Sequence, residues 1–294
     1  KMQYFIKTFE NSVKKRWNQP ALDEFRTSSL TYGQLAAKIA ENQLMYKNVG
    51  LNAGDKIAIN ARSSSQWAEA FMSAVSGGYV SVQLFNGFTP SDTQVLVDHS
   101  DSRLLYTEKA IFSKMDFETM PQLLAAIDLK SGELLASRGD FASIYENRAA
   151  AFAAAYPQGL QPEDVNYPQR QMDELCAIMY TSGSTGNPKG VMLTVRNFSA
   201  NIDLIPKKFP YREGDSYVSV LPYAHIFGLV YDMIAPLCLG MHLCVLYVPP
   251  VPANLKPAMQ QYKPSVFFAV PLILTKMIES SIGEFIHSKS GEAK

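Results

Sequence analysis

The sequence predicts an α/β protein whose parallel-rich sheets are covered by helices. Three observations carry this expectation. Short apolar runs alternate with helical patterns along most of the chain. The helical stretches open on hydroxyl residues and stop at glycines. A loop rich in glycine and hydroxyls, Tyr180 to Val191, lies between two strand-like runs.

Taken in order, residues 2–17 set Phe5, Ile6, Phe9 and Val13 among Lys7, Glu10, Lys14 and Lys15. This is the spacing of an amphipathic helix, read as packed on the domain rather than anchored in a membrane. Ala21 to Phe25 is strand-like. Thr31 caps a helix to about Asn48, stopped by Gly50. A turn at Gly54-Asp55 leads into the strand Lys56 to Asn60, and serines 63–65 precede a helix around Trp67 to Val75. Gly77-Gly78 closes that helix before the strand Tyr79 to Leu84. Ser91 is placed to cap a helix reaching about His99, with the strand Arg103 to Thr107 behind it. Residues 109–171 read as an excursion and connector, with an alanine-rich helix from Phe141 to Tyr156 and then Pro157, Gly159, Pro162 and Pro168.

From Glu174 the alternation returns. Strand 174–181 runs into the loop, followed by strand 190–194, helix 195–208, strand 216–221 and helix 224–239. Strand 241–248, helix 253–262, strand 265–270 and helix 271–281 complete the pattern, and His287 to Lys294 read as a polar tail. The expected division is 1–171 and 172–294, the second part opening with the glycine-rich loop, with a ligand cleft between the two. No repeat recurs at fixed spacing.

Composition narrows the classes of function. A chain of 294 residues suits about two domains or subdomains. Its 27 Lys and Arg balance 27 Asp and Glu, which leaves no electrostatic case for nucleic acid. Cys176, Cys238 and Cys244 have no metal-ligand spacing and read as reduced thiols of a cytoplasmic protein. The most apolar stretch, 226–248, is broken by Asp232, Pro236, Gly240 and His242. It reads as helix, turn and buried strand rather than a transmembrane span, with peripheral contact at the inner face of a membrane left open.

The loop YTSGSTGNPKGV offers hydroxyls, backbone N–H groups and one ammonium, with glycines that let a ligand come close. Such groups hold a polyphosphate. It is not the P-loop of common NTPases, which needs Gly, four residues, then Gly-Lys-Ser/Thr. Here Pro188 stands five positions after Gly183, and Lys189 is followed by Gly190.

This hydroxyl-rich turn, followed by Pro188-Lys189-Gly190 and the apolar Val191-Met192-Leu193, resembles the phosphate loop of the AMP-forming adenylating enzymes. That superfamily includes acyl-CoA synthetases, luciferases and the adenylation domains of peptide synthetases. Further segments agree in order and spacing: Trp67 leading into Gly77-Gly78, the stretch Val97 to Asp101, LPYAHIFG from Leu221 to Gly228, and Lys263-Pro264 through Val270-Pro271. After Pro271 stands Leu272, where acyl-CoA synthetases often have arginine, so no role is carried to that position.

The resemblance implies the N-terminal large domain of the acyl-adenylate-forming fold, with two parallel-rich sheets covered by helices. It also implies a chain truncated before the C-terminal domain and inactive alone, because the Tyr-Gly-x-Thr-Glu element, ribose-binding aspartate and C-terminal lysine of that family do not occur by Lys294. Implied substrates are ATP with Mg2+, a small-molecule carboxylate, expected to be a fatty acid, and coenzyme A. By the resemblance, Thr181, Ser182, Ser184 and Thr185 donate to the β- and γ-phosphates, Lys189 adds a charge, and Gly183 and Gly186 permit the tight loop. His225 stands between acyl pocket and nucleotide as gate or carboxylate partner, with Tyr223, Phe227 and Gly228 as pocket-wall candidates. No metal ligand is named, and His99, His242 and His287 have no partner spacing that supports a role. The competing readings are a binding-only nucleotide or acyl fragment, an adenylation domain that delivers an amino or aryl acid to a carrier protein, and an NTPase with a variant loop. The last is weakened by Gly190 where Ser or Thr would hold Mg2+.

Overall fold

Several helices begin where a hydroxyl takes up a free backbone N–H group of the first turn. Thr31 Oγ1 accepts from Gln34 N while the Gln34 side chain accepts from Thr31 N, and Thr194 forms the same reciprocal box with Asn197. Ser64 accepts from Trp67 N to start the helix that carries the tryptophan.

The computed structural model describes residues 2–181 and 188–292. In chain order the first half holds α1 (Phe5–Lys15), β1 (Pro20–Glu24), β2 (Ser28–Thr31), α2 (Tyr32–Asn48), β3 (Lys56–Asn60), α3 (Ser65–Ser76) and β4 (Val80–Gln83). Then come α4 (Pro90–His99), β5 (Ser102–Thr107), α5 (Lys109–Phe112), β6 (Ala125–Asp128), β7 (Leu134–Ser137), α6 (Phe141–Glu146) and α7 (Arg148–Ala155). After these run β8 (Leu175–Thr181), β9 (Lys189–Thr194), α8 (Val195–Lys208) and β10 (Ser216–Ser219). A π-helical segment, Gly228–Ile234, continues into α9 (Ala235–Cys238), and β11 (His242–Val245), α10 (Pro252–Tyr262) and α11 (Pro271–Glu292) follow.

The strands form two sheets. The larger has the order β7-β6-β5-β3-β4-β8-β9, parallel except for the antiparallel edge strands β7 and β9. The smaller has the order β10-β11-β1-β2, parallel except for β2. Each sheet draws strands from both sides of residue 171. Helix α3 packs on β3 and β4 and also on β1, so the main core lies between the sheets. Its centre is aromatic: Trp67, Phe71, Phe198 and Tyr223 are fully buried, with Trp67 and Tyr223 rings 5.4 Å apart. Helix α1 spends its apolar face here too, since Phe5, Ile6, Phe9 and Val13 are all inaccessible. Among the described residues no helix is long and apolar enough to cross a membrane.

Several sequence expectations need correction. The cap of α4 is Thr89, which accepts from Asp92 N with Pro90 in the first turn, rather than Ser91. The alanine-rich helix breaks at Asn147 into α6 and α7. The 109–171 excursion gives β6 and β7 to the large sheet, and β2 was not foreseen. Segment 265–270 makes only an isolated bridge, Val266 to Tyr217, and Phe268, one of its two aromatic residues, packs into a ring cluster. The helix expected over 224–239 opens as a π-helix, and α11 runs through His287 to Glu292, where a polar tail was expected.

Candidate functional site

Parallel strands end on one side of a sheet, and here both sheets turn those ends toward a common cleft. Strands β3, β4 and β8 run in one direction, so Asn60, Gln83 and Thr181 lie along one edge. In the smaller sheet β10 and β11 end at Ser219 and Val245. Where the edges meet is a cavity of about 260 Å³, lined by Arg62, Ser63 and Asn86 from one side and Leu221, Pro222 and Tyr247 from the other. Such carboxyl-end crevices are where open α/β sheets bind ligands.

Tyr247 is fixed in the wall by two cations. The Arg62 guanidinium lies 4.5 Å from its ring centroid and donates to its hydroxyl at 2.9 Å, and Lys130 Nζ stands 4.2 Å from the same ring. Lys130 also reaches the buried Glu24 carboxylate at 2.6 Å, and the other Glu24 oxygen accepts from Ser65 N. These contacts tie β1, α3 and the β6–β7 turn together behind the cavity.

His225 sits on the same rim. It is exposed, and its ring centroid is 5.3 Å from that of Phe85, the second residue beyond β4. Its backbone is held on both sides: His225 N donates to Pro222 O at 3.2 Å, and Leu229 N donates to His225 O at 2.8 Å. Tyr223 N donates to Ser63 Oγ at 2.9 Å, which moors the turn to the large sheet. Gly228 is required by closeness, since a Cβ there would fall 2.2 Å from Pro222 O. Beyond His225, Phe227 is half exposed and stacks on Tyr231 at 4.4 Å, and Phe268 meets both rings at 5.4 Å. Tyr223 is no pocket wall. It is fully buried against Trp67, with its hydroxyl 2.8 Å from Ser219 Oγ.

The glycine-rich loop joins β8 to β9 as the connection of an antiparallel pair. Thr181 and Lys189 stand opposite each other in register, both exposed, at the point where the chain leaves and re-enters the sheet. Ser182, Gly183, Ser184, Thr185 and Gly186 lie outside the described residues. Gly190 pairs with Tyr180, and a Cβ there would meet Ile178 Cγ2 at 3.0 Å and the Tyr180 ring at 3.3 Å. The Tyr180 hydroxyl is in turn 2.6 Å from His99 Nδ1 on α4, a contact no sequence spacing suggested.

Sequence reasoning also missed Asp232. This residue is fully buried, and its carboxylate accepts from Tyr217 OH at 2.6 Å, Ser219 Oγ at 3.2 Å, Val220 N at 2.9 Å and Leu221 N at 2.8 Å. Burial pushes its carboxyl up to about 6 against the lowering by these donors. The available signal was a single aspartate in an otherwise apolar helical stretch. Among the described residues no group of three or more His, Cys, Asp or Glu gathers as a metal site.

Comparison with known proteins bears on the family and the fold. The family model described as AMP-binding enzyme matches residues 9–291. The chain is 28% identical to a chloroplastic long-chain-fatty-acid–[acyl-carrier-protein] ligase of Arabidopsis thaliana, over 90% of this chain and 37% of that protein. It is 30% identical to a sulfoacetate–CoA ligase of Cupriavidus necator over 72% of this chain and 38% of that one. With the long-chain-fatty-acid–CoA ligase 1 of Saccharomyces cerevisiae it shares 26% over 90% and 41%. It therefore spans about two fifths of the length of these curated relatives. In fold it is similar to an anthranilate CoA ligase solved with anthranoyl-AMP, with a TM-score of 0.75 at 20% identity over 92% of this chain and 49% of the other. The N-terminal domain of FACL13 from Mycobacterium tuberculosis gives 0.75 at 19% identity, covering 94% and 65%. With a match that runs from Phe9 almost to the end of α11, the chain belongs to the AMP-binding enzyme family, in the company of acyl- and aryl-CoA ligases.

Proposed function

We propose that this chain is the nucleotide- and acyl-binding part of an AMP-forming carboxylate ligase whose substrate is a fatty acid. In the first step a carboxylate oxygen attacks the α-phosphorus of ATP, the bond to the β-phosphate oxygen breaks, and pyrophosphate leaves. In the second, the thiol of coenzyme A attacks the acyl carbon, AMP leaves with the bridging oxygen, and the thiol proton passes to solvent. The protein forms no bond of its own in this scheme. Its task is positioning and charge neutralisation.

One observation carries the reading. Thr181 and Lys189 face each other at the carboxyl end of β8, and two residues beyond the end of the neighbouring strand β4 stands Phe85, whose ring neighbours His225. A polyphosphate held at the β8–β9 connection and a carboxylate beside His225 would thus share one sheet edge. In this reading Thr181, Ser182, Ser184 and Thr185 donate to phosphate oxygens, Lys189 supplies a point charge, and Gly183 and Gly186 would permit a tight loop. The half-exposed ring cluster of Phe227, Tyr231 and Phe268 favours an apolar acyl chain over a small polar acid. Mg2+ would travel with ATP. The described residues gather no ligand set for it, so none is assigned and no step runs through it.

The test is ATP–pyrophosphate exchange by the full-length gene product, screened over short, medium and long carboxylates. Exchange that depends on a long-chain carboxylate is the expected result, and ATP hydrolysis to ADP without carboxylate would overturn the reading. Because one relative is named for an acyl-carrier-protein acceptor, coenzyme A and carrier protein should be compared in the second step.

A further inference from the structure

We propose that Asp232 is a positioning residue of the site: from the π-helical segment its carboxylate grips the Val220-Leu221 backbone and so sets the turn that presents His225. An ionised carboxylate only accepts hydrogen bonds, and this one faces four donors: the Tyr217 and Ser219 hydroxyls and the two N–H groups of Val220 and Leu221. Those N–H groups come just after the last residue of β10. An apolar side chain at 232 would fill the same volume and leave them without an acceptor.

The grip reaches the site by short steps. Leu221 lines the cavity, Pro222 O accepts from His225 N, and Gly228 opens the π-helical segment in close contact with Pro222. Ser219 Oγ links the carboxylate to the Tyr223 hydroxyl, and Tyr223 N is moored to Ser63. Asp232 thus fastens the smaller sheet to the turn, as Ser63 fastens the larger one. Departures from α-helical pairing are uncommon and cluster at functional sites, and here the departure lies in the segment that carries the carboxylate.

The test uses the 294-residue chain, which has four histidines that can be resolved one by one. In Asp232→Leu a side chain of similar volume leaves Val220 N and Leu221 N, which both donate to Oδ2, with no acceptor. Hydrogen exchange at Val220 and Leu221 should speed up about ten- to a hundred-fold, while Ile57 and Ala58 in β3 keep their protection. The His225 ring signals, set by the neighbouring Phe85 ring, should shift while those of His99 and His242 stay. Tyr217→Phe removes one donor from the same carboxylate but leaves the backbone grip, so it should leave His225 in place. Unmoved Val220, Leu221 and His225 signals in Asp232→Leu would overturn the inference. So would an equal His225 shift in Tyr217→Phe, because that would mark a general effect of loosening the core. The enzymatic arm alone rests on the adenylation reading. In the full-length gene product, Asp232→Leu should lower kcat of carboxylate-dependent exchange about tenfold or more, with KM for ATP nearly unchanged. If wild type shows no such exchange, the adenylation reading fails while the structural arm still decides the role of Asp232.

Discussion

Gly228→Ala sets two effects of opposite sign against each other at the entrance to the site. Alanine is the better helix former by about 1 kcal/mol, and with free space it would stabilise the segment. Space is not free. The new Cβ would lie 2.2 Å from Pro222 O and 2.9 Å from Pro222 C, where ordinary contacts begin at 3.4 Å. Both clashing atoms are backbone, so no rotamer relieves them, and the turn must part from the π-helical segment by about 1 Å. Two tethers resist that parting: His225 N on Pro222 O, and Asp232 on Leu221 N. Overpacking costs about 1–3 kcal/mol, and a backbone clash belongs at the upper end, so a net loss of about 2 kcal/mol remains after the helix gain. For a chain of this size that lowers Tm by roughly 4–8 °C.

The activity loss should exceed what stability explains, because a 1 Å displacement near reacting groups can cost about a hundred-fold. Gly190→Ala is the natural contrast. Its Cβ meets Ile178 Cγ2 at 3.0 Å and the Tyr180 ring at 3.3 Å, side-chain atoms that can give by a few tenths of an ångström, so its loss should stay below about 1 kcal/mol. Thermal unfolding by circular dichroism and carboxylate-dependent exchange in the full-length gene product would be measured for both variants. A Gly228→Ala protein as stable and active as its parent, or one less perturbed than Gly190→Ala, would refute the close-approach argument.

Lys189→Ala should change stability by less than about 0.5 kcal/mol, because the side chain is exposed, yet reduce adenylation roughly ten- to a hundred-fold through one lost charge-assisted contact. Unchanged ATP–pyrophosphate exchange would remove the phosphate role. The three cysteines are buried, and burial pushes the Cys176 and Cys244 thiols up to about 12, so alkylation by iodoacetamide at pH 8 should follow unfolding; rapid native labelling would contradict the packing. Asp232 gives a pH signature of defined sign. Its folded value of about 6 lies above the ordinary 3.8, so its contribution to stability is fully present below about pH 4 and is lost as pH rises through about 6. Urea unfolding should show wild type losing about 3 kcal/mol relative to Asp232→Asn between pH 3.5 and 7, and a flat difference would refute the assignment.

What the sequence disclosed depended on whether the cause was local. Thr31, Thr194 and Ser64 cap helices through contacts three residues away, and β3 and α8 fall where hydroxyls, glycines and apolar spacing put them. The β8 and β9 runs were legible for the same reason. The strands β6 and β7 were not, because each is only four residues long and is recognisable only by its partner in the sheet. The 265–270 run failed in the opposite sense. Its apolar residues suit a strand, but Phe268 finds Phe209, Tyr211 and Tyr231, and side-chain packing displaced the ladder. For the candidate site, motif residues such as His225 could be named, whereas Ser63, Phe85 and Asp232 could not. Their roles exist only once residues far apart in sequence are neighbours.

That remoteness follows from the topology. Strand β1 pairs with β11, and β4 pairs with β8, so neither sheet can form from residues near one another along the chain. The cleft is lined by the segments that leave those long-range pairs: the turns after β3 and β4 on one side, after β10 and β11 on the other. Such turns have lost the sheet ladder and must find other partners for their backbone groups. Asp232 serves Val220 and Leu221, Ser63 serves Tyr223, and Asn60 Nδ2 donates to Phe85 O at 3.1 Å. Each of these side chains is polar and each completes a backbone group at the rim, so the His225 turn is held by these hydrogen bonds as well as by the buried Tyr223. Small changes at Gly228 or Asp232 should therefore reach the site more strongly than volume-conserving swaps in the apolar core behind it.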